Sequence, residues 1–214
     1  MCFFHKNTIS FKNWIDYHCH ILPGVDDGVK TMDQSLAILK RYEEEGVKAV
    51  WFTPHIMEDV PNTTAALRSR FEELKAAYSG PLSLHLGAEY MLDNLFVKRL
   101  SEKDILPVYG GNMLLVETSY FRAPADFEKI IADIKSAGFS PVLAHPERYL
   151  YMSHEQLRLL HEQGIMFQMN VPSLAGHYGM AVRSQAKWLL RKGYYNYQGS
   201  DLHSAKGVNF LFKQ

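Results

Sequence analysis

Cysteine is scarce in this sequence, and neither acidic nor basic residues are in excess. The 214 residues include two cysteines, Cys2 and Cys19, too few for a disulfide framework and without zinc-finger spacing. This usage is typical of a reducing compartment and favours the cytoplasm. Lysine plus arginine and aspartate plus glutamate each number 23, so the charge gives no reason to expect a nucleic acid or a membrane surface as the partner.

Long hydrophobic runs are also missing. The first residues, "MCFFHKNTISFKNW", lack the continuous apolar segment and small-residue cleavage site of a signal peptide, and no run approaches the length of a membrane span. We therefore expect a soluble chain. Its length and its 47% apolar content suffice for one substantial core, so a single domain over residues 1–214 is expected.

Apolar or β-branched runs alternate with longer amphipathic stretches, a pattern typical of β-α units around a parallel sheet. Seven strands are predicted, at 14–17, 47–52, 82–86, 113–116, 140–143, 166–169 and 194–198. Helices are predicted at 31–45, 62–79, 124–137, 153–163 and 178–192, and four of them are followed by a C-cap glycine, namely Gly46, Gly138, Gly164 and Gly193.

No linker divides the chain, so we expect one α/β barrel or an open doubly wound sheet. The stretch 90–112 is longer than a simple connection and is expected to hold a short helix and an active-site loop.

A histidine or a carboxylate follows six of the seven predicted strands. These residues are His18, His20, His55, Glu89, Glu117, His145, Asp201 and His203. Each has an ordinary structural explanation when taken alone. However, the carboxyl ends of parallel strands converge on one face of an α/β barrel, and residues two apart on a strand point to the same side. The recurrence therefore predicts that these side chains meet.

Imidazole and carboxylate together suit zinc, manganese or iron, and several of each suit more than one ion. Neighbouring ions can clamp a phosphoryl oxygen and generate hydroxide near neutral pH, which points to hydrolytic chemistry. The absence of cysteine ligands disfavours a purely structural zinc site. Cys19 lies between two ligand candidates and is expected to point away from them and pack as a small residue.

Three further residues lie close to these candidates in the sequence. Asp26 and Asp27 belong to the loop "LPGVDDGVKT", where adjacent aspartates before glycine commonly form a turn, but one carboxylate could also return over the metal ions. Arg148 in "HPER" follows His145 and is suited to holding a phosphate. The alternative is that Arg148 pairs with Glu147 on the surface.

The segments "DYHCHILPGVDDG", "TPH", "GAE", "VE", "AHPER" and "SDLH", in that order, resemble the PHP (polymerase and histidinol phosphatase) superfamily. "HILPGVDDG" and "HPER" resemble in particular its bacterial capsule and exopolysaccharide tyrosine phosphatases. The resemblance runs from about residue 14 to 204. It implies a distorted seven-stranded, TIM-like β/α barrel with three divalent ions, usually manganese, with iron or zinc as alternatives.

The resemblance also implies a ligand set. One ion would take His18, His20, Glu89 and Asp201; a second Glu89, Glu117 and His145; and a third His55, His203 and either Asp26 or Asp27. Glu89 would bridge two ions, Arg148 would hold the substrate phosphate, and a metal-bridging hydroxide would attack phosphorus in line. The family acts on phosphotyrosines of a bacterial tyrosine autokinase that controls capsular and exopolysaccharide synthesis.

Neither cysteine begins the C-x5-R pattern of cysteine-dependent phosphatases, so any phosphatase activity is expected to be metal-based. The chain departs from the family after "SDLH", where a basic, proline-containing segment and a closing helix are usual. Here "SAKGVNFLFKQ" looks truncated or divergent, and Lys206 is expected to replace a missing phosphate-binding arginine. A barrel edge left uncovered would be hidden by a partner subunit, which predicts a homo-oligomer.

Two alternatives to a tyrosine phosphatase stay open. One is a small-molecule phosphatase of the histidinol phosphate type, which the substrate turned over would distinguish. The other is a non-catalytic, metal-binding regulatory module. The full ligand set argues against such a module, and the shortened end argues for it.

Overall fold

Parallel strands and helices alternate along most of the chain in the computed structural model, which describes residues 3–5 and 8–212. The strands are β1 (Phe3–His5), β2 (Thr8–Ser10), β3 (Ile15–Cys19), β4 (Ala49–Phe52), β5 (His55–Ile56), β6 (Ser83–Leu86), β7 (Glu89–Met91), β8 (Met113–Glu117), β9 (Ser140–Ala144), β10 (Met166–Asn170) and β11 (Tyr195–Gly199). The helices are α1 (Met32–Glu44), α2 (Thr64–Ala77), α3 (Asn94–Glu102), α4 (Phe127–Ser136), α5 (His154–Glu162), α6 (Val171–Ala175), α7 (Met180–Lys192) and α8 (Ala205–Phe212), with a 3-10 turn at Pro146–Arg148.

Two parallel sheets form the body of the molecule. One has the order β3-β4-β6 and the other β11-β10-β9-β8-β7-β5, while β1 and β2 form an antiparallel pair. Main-chain hydrogen bonds link the two parallel sheets where β4 and β6 lead into β5 and β7: Gly87 N–H donates to the Phe52 carbonyl at 2.9 Å and Glu89 N–H to the Pro54 carbonyl at 3.1 Å.

A second set of hydrogen bonds links β3 to the segment that follows β11. Asp201 N–H donates to the His18 carbonyl at 2.8 Å, and His20 N–H donates to the Leu202 carbonyl at 2.9 Å. Because the strands run parallel, their carboxyl ends lie at one edge of the sheets, and the residues that follow them are brought together.

All seven predicted strands and all five predicted helices are present, with ends shifted by at most three residues. The four C-cap glycines have φ angles of 70° to 88°, which confirms their predicted role. The short helix predicted within 90–112 is α3.

The elements that the sequence did not reveal are short. β5 and β7 have two and three residues and follow the interruptions at Pro54 and Gly87, so neither is long enough for its alternation to be read. The β1–β2 pair and the five-residue α6 were also not predicted. Cys2 lies outside the described residues.

The segment after His203 forms α8. Val208 and Leu211 of α8 are buried, and the Phe212 ring packs edge-on against Phe11 and Tyr42, at 4.8 and 5.4 Å between centroids. β3 has hydrogen-bonded neighbours on both sides, namely β4 and the segment after β11, while the uncovered barrel edge stays a prediction. No helix in the described part of the chain is long and apolar enough to cross a membrane.

We expect Leu211→Ala to lower the free energy of unfolding by about 2–5 kcal/mol. The Leu211 side chain, on the inner face of α8, is fully buried, and shortening it leaves a cavity. Urea denaturation measures the change. Asn209→Ala, at an exposed position of the same helix, is the matched control and should change stability by less than about 0.5 kcal/mol. Equal, small effects of both substitutions would contradict the packing of α8.

Candidate metal centre

The carboxyl ends of the parallel strands surround an open cavity of about 650 Å³. Nine of the predicted site residues line it: Asp27, His55, Glu89, Glu117, His145, Arg148, Asp201, His203 and Lys206. His18 and His20 lie completely buried beside them. The predicted convergence of the strand-end residues is therefore confirmed, while their roles as ligands stay predictions.

Glu89, the first residue of β7, lies at the middle of the cluster and is fully buried. Its Oε2 is 3.2 Å from His18 Nε2, 3.3 Å from His20 Nε2 and 3.2 Å from His55 Nδ1. Its Oε1 is 3.1 Å from His145 Nε2. Burial opposes ionisation, but His18 and the hydrogen bonds from the imidazoles hold the pKa of Glu89 well below its usual range. The centre of the site is thus a carboxylate.

The outer nitrogens of His18 and His20 have their own acceptors. His18 Nδ1 is 2.8 Å from Gln168 Oε1, and His20 Nδ1 is 2.8 Å from Asp26 Oδ2. These partners place the protons on both Nδ1 atoms, because a neutral imidazole has one donor and one acceptor nitrogen. In the neutral imidazoles the two Nε2 lone pairs face each other at 3.0 Å, an arrangement that needs either a proton or a metal ion between them.

Asp201 completes this group of ligand atoms. Its Oδ1 lies 3.5 Å from His18 Nε2 and 3.4 Å from His20 Nε2. Two imidazole nitrogens and two carboxylates, one from Glu89 and one from Asp201, form a donor set that suits zinc, manganese or iron.

His55 and Glu117 provide a direct test of whether the residues fit a metal. His55 Nδ1 and Glu117 Oε1 are buried 3.1 Å apart, yet neither has a hydrogen-bond partner among the described residues. Leaving a buried polar atom unpaired ordinarily costs about 1–3 kcal/mol. A shared metal ion would satisfy both atoms, so the donor set fits a metal here. His145 Nε2 lies 3.9 Å from Glu117 Oε2.

The two adjacent aspartates have different surroundings. The Asp26 side chain is buried and accepts hydrogen bonds from His20 Nδ1, from the His55 main-chain N–H at 3.1 Å and from the Gly28 N–H at 2.9 Å. Asp27 instead faces the cavity, with Oδ1 3.6 Å from His55 Nε2 and 3.5 Å from His203 Nε2. Hydrogen bonding from His203 lowers the pKa of Asp27 to about 2, although burial opposes this.

Among the described residues, three groups of side chains have ligand atoms within 4.8 Å of one another. They are His20, Asp27, His55 and His203; His18, His20 and Glu89; and His55, Glu89 and Glu117.

Two of the five non-glycine residues with a positive φ angle in the described part of the chain lie at this site. They are His145 and Asp201, with φ angles of 35° and 51°. Residues other than glycine rarely adopt positive φ angles. Asp201 follows Ser200, whose N–H and hydroxyl both donate to the buried Asp16 carboxylate, at 2.8 and 2.6 Å. Tyr42 OH donates to the same carboxylate at 2.8 Å. These bonds hold Asp201 in its strained conformation.

Asp16 was missed by the sequence analysis, although a signal was available. It lies two residues before His18 on β3, so alternation places it on the same side of the strand as the two histidines. Gln168 and Asn170 on β10 were missed because β10 was the one predicted strand without a histidine or carboxylate at its end.

Arg148 follows the strained His145 on the 3-10 turn. It donates to Asp201 Oδ2 at 2.8 Å. The alternative pairing with Glu147 on the surface is wrong, because Glu147 is fully buried and accepts hydrogen bonds from Asn170 N–H at 2.9 Å and Ser173 OH at 2.8 Å.

Two other expectations concern residues close to the site. No described residue of the loop after α3 lines the cavity. The Tyr109 hydroxyl donates to the Tyr17 carbonyl at 2.6 Å, and the Tyr109 ring packs against the Tyr197 ring. Of the stretch 90–112, Met91 lines the cavity. Cys19 packs away from the ligand candidates as predicted, fully buried with Sγ 3.3 Å from the Trp51 carbonyl.

The fold and this cluster define an α/β protein with a candidate metal centre of histidines and carboxylates beside a cavity that carries an arginine. The chain belongs to the family described as capsular polysaccharide synthesis, CpsB/CapC, which it matches over residues 14–209.

Its relatives include the tyrosine-protein phosphatase YwqE of Bacillus subtilis (strain 168), which is 29% identical over 92% of this chain and 80% of YwqE. The tyrosine-protein phosphatase CpsB of Streptococcus pneumoniae is 28% identical over 89% of this chain and 83% of CpsB. A crystal structure from work on YwqE and CpsB, described as metal-dependent tyrosine phosphatases, has a TM-score of 0.84 and 28% identity over 93% of this chain and 83% of that one.

Metal binding should release protons near neutral pH. Burial lowers the pKa of His18, but Glu89 and Asp201 outweigh it and raise that pKa from 6.5 to about 9 in the metal-free protein. His18 is thus protonated below about pH 9, and a metal ion must displace that proton. We expect the apparent affinity for Mn²⁺ to weaken as pH falls, by about tenfold per pH unit for each proton released.

Calorimetry in buffers of different ionisation enthalpy counts the protons released. His154→Ala, at an exposed position on α5, is the control and should leave proton release unchanged. An affinity for Mn²⁺ that stays constant between about pH 6 and pH 8 would contradict the expectation.

Proposed function

We propose that this chain is a metal-dependent protein-tyrosine phosphatase that acts on a bacterial tyrosine autokinase controlling capsular and exopolysaccharide synthesis. The observation that carries the proposal is the buried cluster of histidines and carboxylates around Glu89, next to a cavity lined by Arg148. Family membership and relatives named tyrosine-protein phosphatases support the choice of phosphotyrosine as the substrate. The cytoplasm is the proposed location.

The proposed centre holds three divalent ions, with manganese preferred and iron or zinc as alternatives. The ligand sets are His18, His20, Glu89 and Asp201 for the first ion; Glu89, Glu117 and His145 for the second; and His55, His203 and Asp27 for the third. The position of Asp27 between His55 and His203 favours it over Asp26. Asp26 orients His20 instead, through the bond to Nδ1.

Bound divalent ions supply charge neutralisation for the phosphoryl oxygens and the means to ionise water near neutral pH. Arg148 binds the phosphate through its guanidinium N–H groups, and Asp201 fixes the direction of that guanidinium. As the water oxygen bonds to phosphorus, the bond to the phenolic oxygen breaks, and the products are tyrosine and inorganic phosphate. Lys206 at the cavity edge adds a positive charge for the phosphopeptide.

A phosphocysteine route does not suit this site. Cys19 is buried away from the cavity, and burial raises the pKa of its thiol well above the usual range. The thiolate that such a mechanism requires is therefore not available at Cys19.

The proposed architecture is a distorted seven-stranded barrel in one domain. Its support is the pair of hydrogen bonds between residues 18–20 and 201–202 together with the links from β4 and β6 into the second sheet. The homo-oligomer stays a prediction.

The testing experiment is hydrolysis of a phosphotyrosine peptide with and without added Mn²⁺, together with elemental analysis of the purified protein. We expect two or three ions per chain and turnover that Mn²⁺ stimulates and a chelator abolishes. Glu89→Gln should lose both bound metal and turnover, because the buried carboxylate is central to the cluster.

Each alternative has its own outcome in this experiment. Bound metal without turnover of any phosphoester would favour a regulatory module, and turnover confined to small phosphoesters would favour the histidinol phosphate type. Activity that resists chelators but is blocked by thiol alkylation would overturn the mechanism.

Arg148→Ala should raise KM for the phosphopeptide by about 10- to 100-fold while bound metal stays at the wild-type level, because charge-assisted hydrogen bonds to the phosphate are lost. Arg148→Lys keeps the charge but not the planar arrangement of donors, and should lie between Ala and wild type. Loss of metal in Arg148→Ala would show that Arg148 has a structural role instead.

A further inference from the structure

The cavity changes character from its floor to its mouth. Its floor consists of the imidazoles and carboxylates around Glu89, whereas aromatic side chains lie along its walls: Tyr120, His177, Tyr178 and Phe210. The rings of His177 and Phe210 contact each other, at 4.5 Å between centroids. A ligand with a phosphate at one end and an apolar ring at the other would match this polarity.

Tyr120 and Tyr178 both contact the guanidinium of Arg148. Its Cζ lies over the Tyr120 ring at 4.2 Å from the centroid and over the Tyr178 ring at 4.3 Å. One face of a guanidinium has room for one ring, so the two tyrosines cover its two faces. Anions must then approach Arg148 in the plane of the guanidinium, where its N–H donors lie.

Hydrogen bonds of Thr118 hold the loop after β8 close to Tyr120. The N–H of the nearby Thr118 donates to Tyr149 OH at 3.2 Å, and the Thr118 hydroxyl is 2.6 Å from Tyr151 OH. The Tyr120 ring contacts Arg148 on one face and stacks near Tyr149 at 6.1 Å. Tyr120 is nevertheless 43% exposed and lines the cavity, so part of it is open to a ligand there.

Tyr178 has a different environment. It is partly buried in the connection between α6 and α7, flanked by Gly176 and Gly179 with φ angles of 88° and 93°. It lines the cavity, and its described ring contacts are to Arg148 and His177. The contact with Arg148 links Tyr178 to the group that would bind the phosphate.

We propose that Tyr120 is a specificity-determining residue whose ring edge packs against the aromatic ring of the substrate, so that the site prefers aryl over alkyl phosphoesters. Tyr178 is a positioning residue, which fixes Arg148 and affects both classes equally. Ring edges pack favourably against ring faces, and a phosphate bound in the plane of Arg148 brings its aryl group alongside Tyr120. This inference rests on the proposed function, because it concerns the same cavity.

The test measures binding rather than turnover. Isothermal titration calorimetry of the Mn²⁺-loaded protein compares phenylphosphonate with methylphosphonate, neither of which can be hydrolysed as an ester. We expect the wild type to bind phenylphosphonate about 3- to 10-fold more tightly. In Tyr120→Ala the ratio should fall toward one, whereas Tyr120→Phe, which keeps the ring, should retain it. Tyr178→Ala should weaken both ligands with the ratio unchanged.

Phe121→Ala is the matched control. Phe121 is adjacent to Tyr120 and 88% exposed but does not line the cavity, so its loss should leave both affinities at the wild-type level. A wild-type preference that persists in Tyr120→Ala, or no aryl preference in the wild type, would overturn the inference. Aryl-selective binding without hydrolysis of a phosphotyrosine peptide would uphold it and count against the proposed catalytic function alone.

Discussion

The buried carboxylate of Glu89 is the charge on which the organisation of the strand ends depends. A carboxylate removed from water is strongly unfavourable unless it is paired and hydrogen bonded. Four imidazole nitrogens lie 3.1 to 3.3 Å from the Glu89 carboxylate, and those of His18 and His145 form hydrogen bonds with it. The four histidines come from three parts of the sheets. The parallel arrangement brings the ends of β3, β5 and β9 together and so supplies them. The fold and the charge of the site thus support each other.

A second layer of polar residues determines which atoms face this carboxylate. Gln168 and Asp26 take the outer nitrogens of His18 and His20, so the inner nitrogens stay free to bind a cation. Asp16 performs a comparable task for the main chain, because it holds Ser200 and thereby the strained Asp201. Such strain persists where the surrounding bonds determine the conformation more strongly than local preference does.

The floor and the mouth of the cavity are lined by chemically different side chains. At the floor, charged groups suit a phosphate and the ions that neutralise it. At the mouth, the rings of Tyr120 and Tyr178 form an aromatic wall and both contact the Arg148 guanidinium. Arg148 belongs to both regions: its bond to Asp201 reaches the cluster of histidines and carboxylates, while its guanidinium contacts the aromatic wall.

The sequence by itself determined the alternation of strands and helices, the glycine ends of four helices and the strand-end position of residues such as His55 and Glu117, because periodicity and capping are local properties of the chain. Tertiary structure decided which aspartate faces the cluster, since Asp26 and Asp27 have the same local context and differ in what folds against them. It also decided the aromatic wall, because Tyr120 and Tyr178 come from loops 58 residues apart, and no local pattern specifies that two rings will meet one guanidinium.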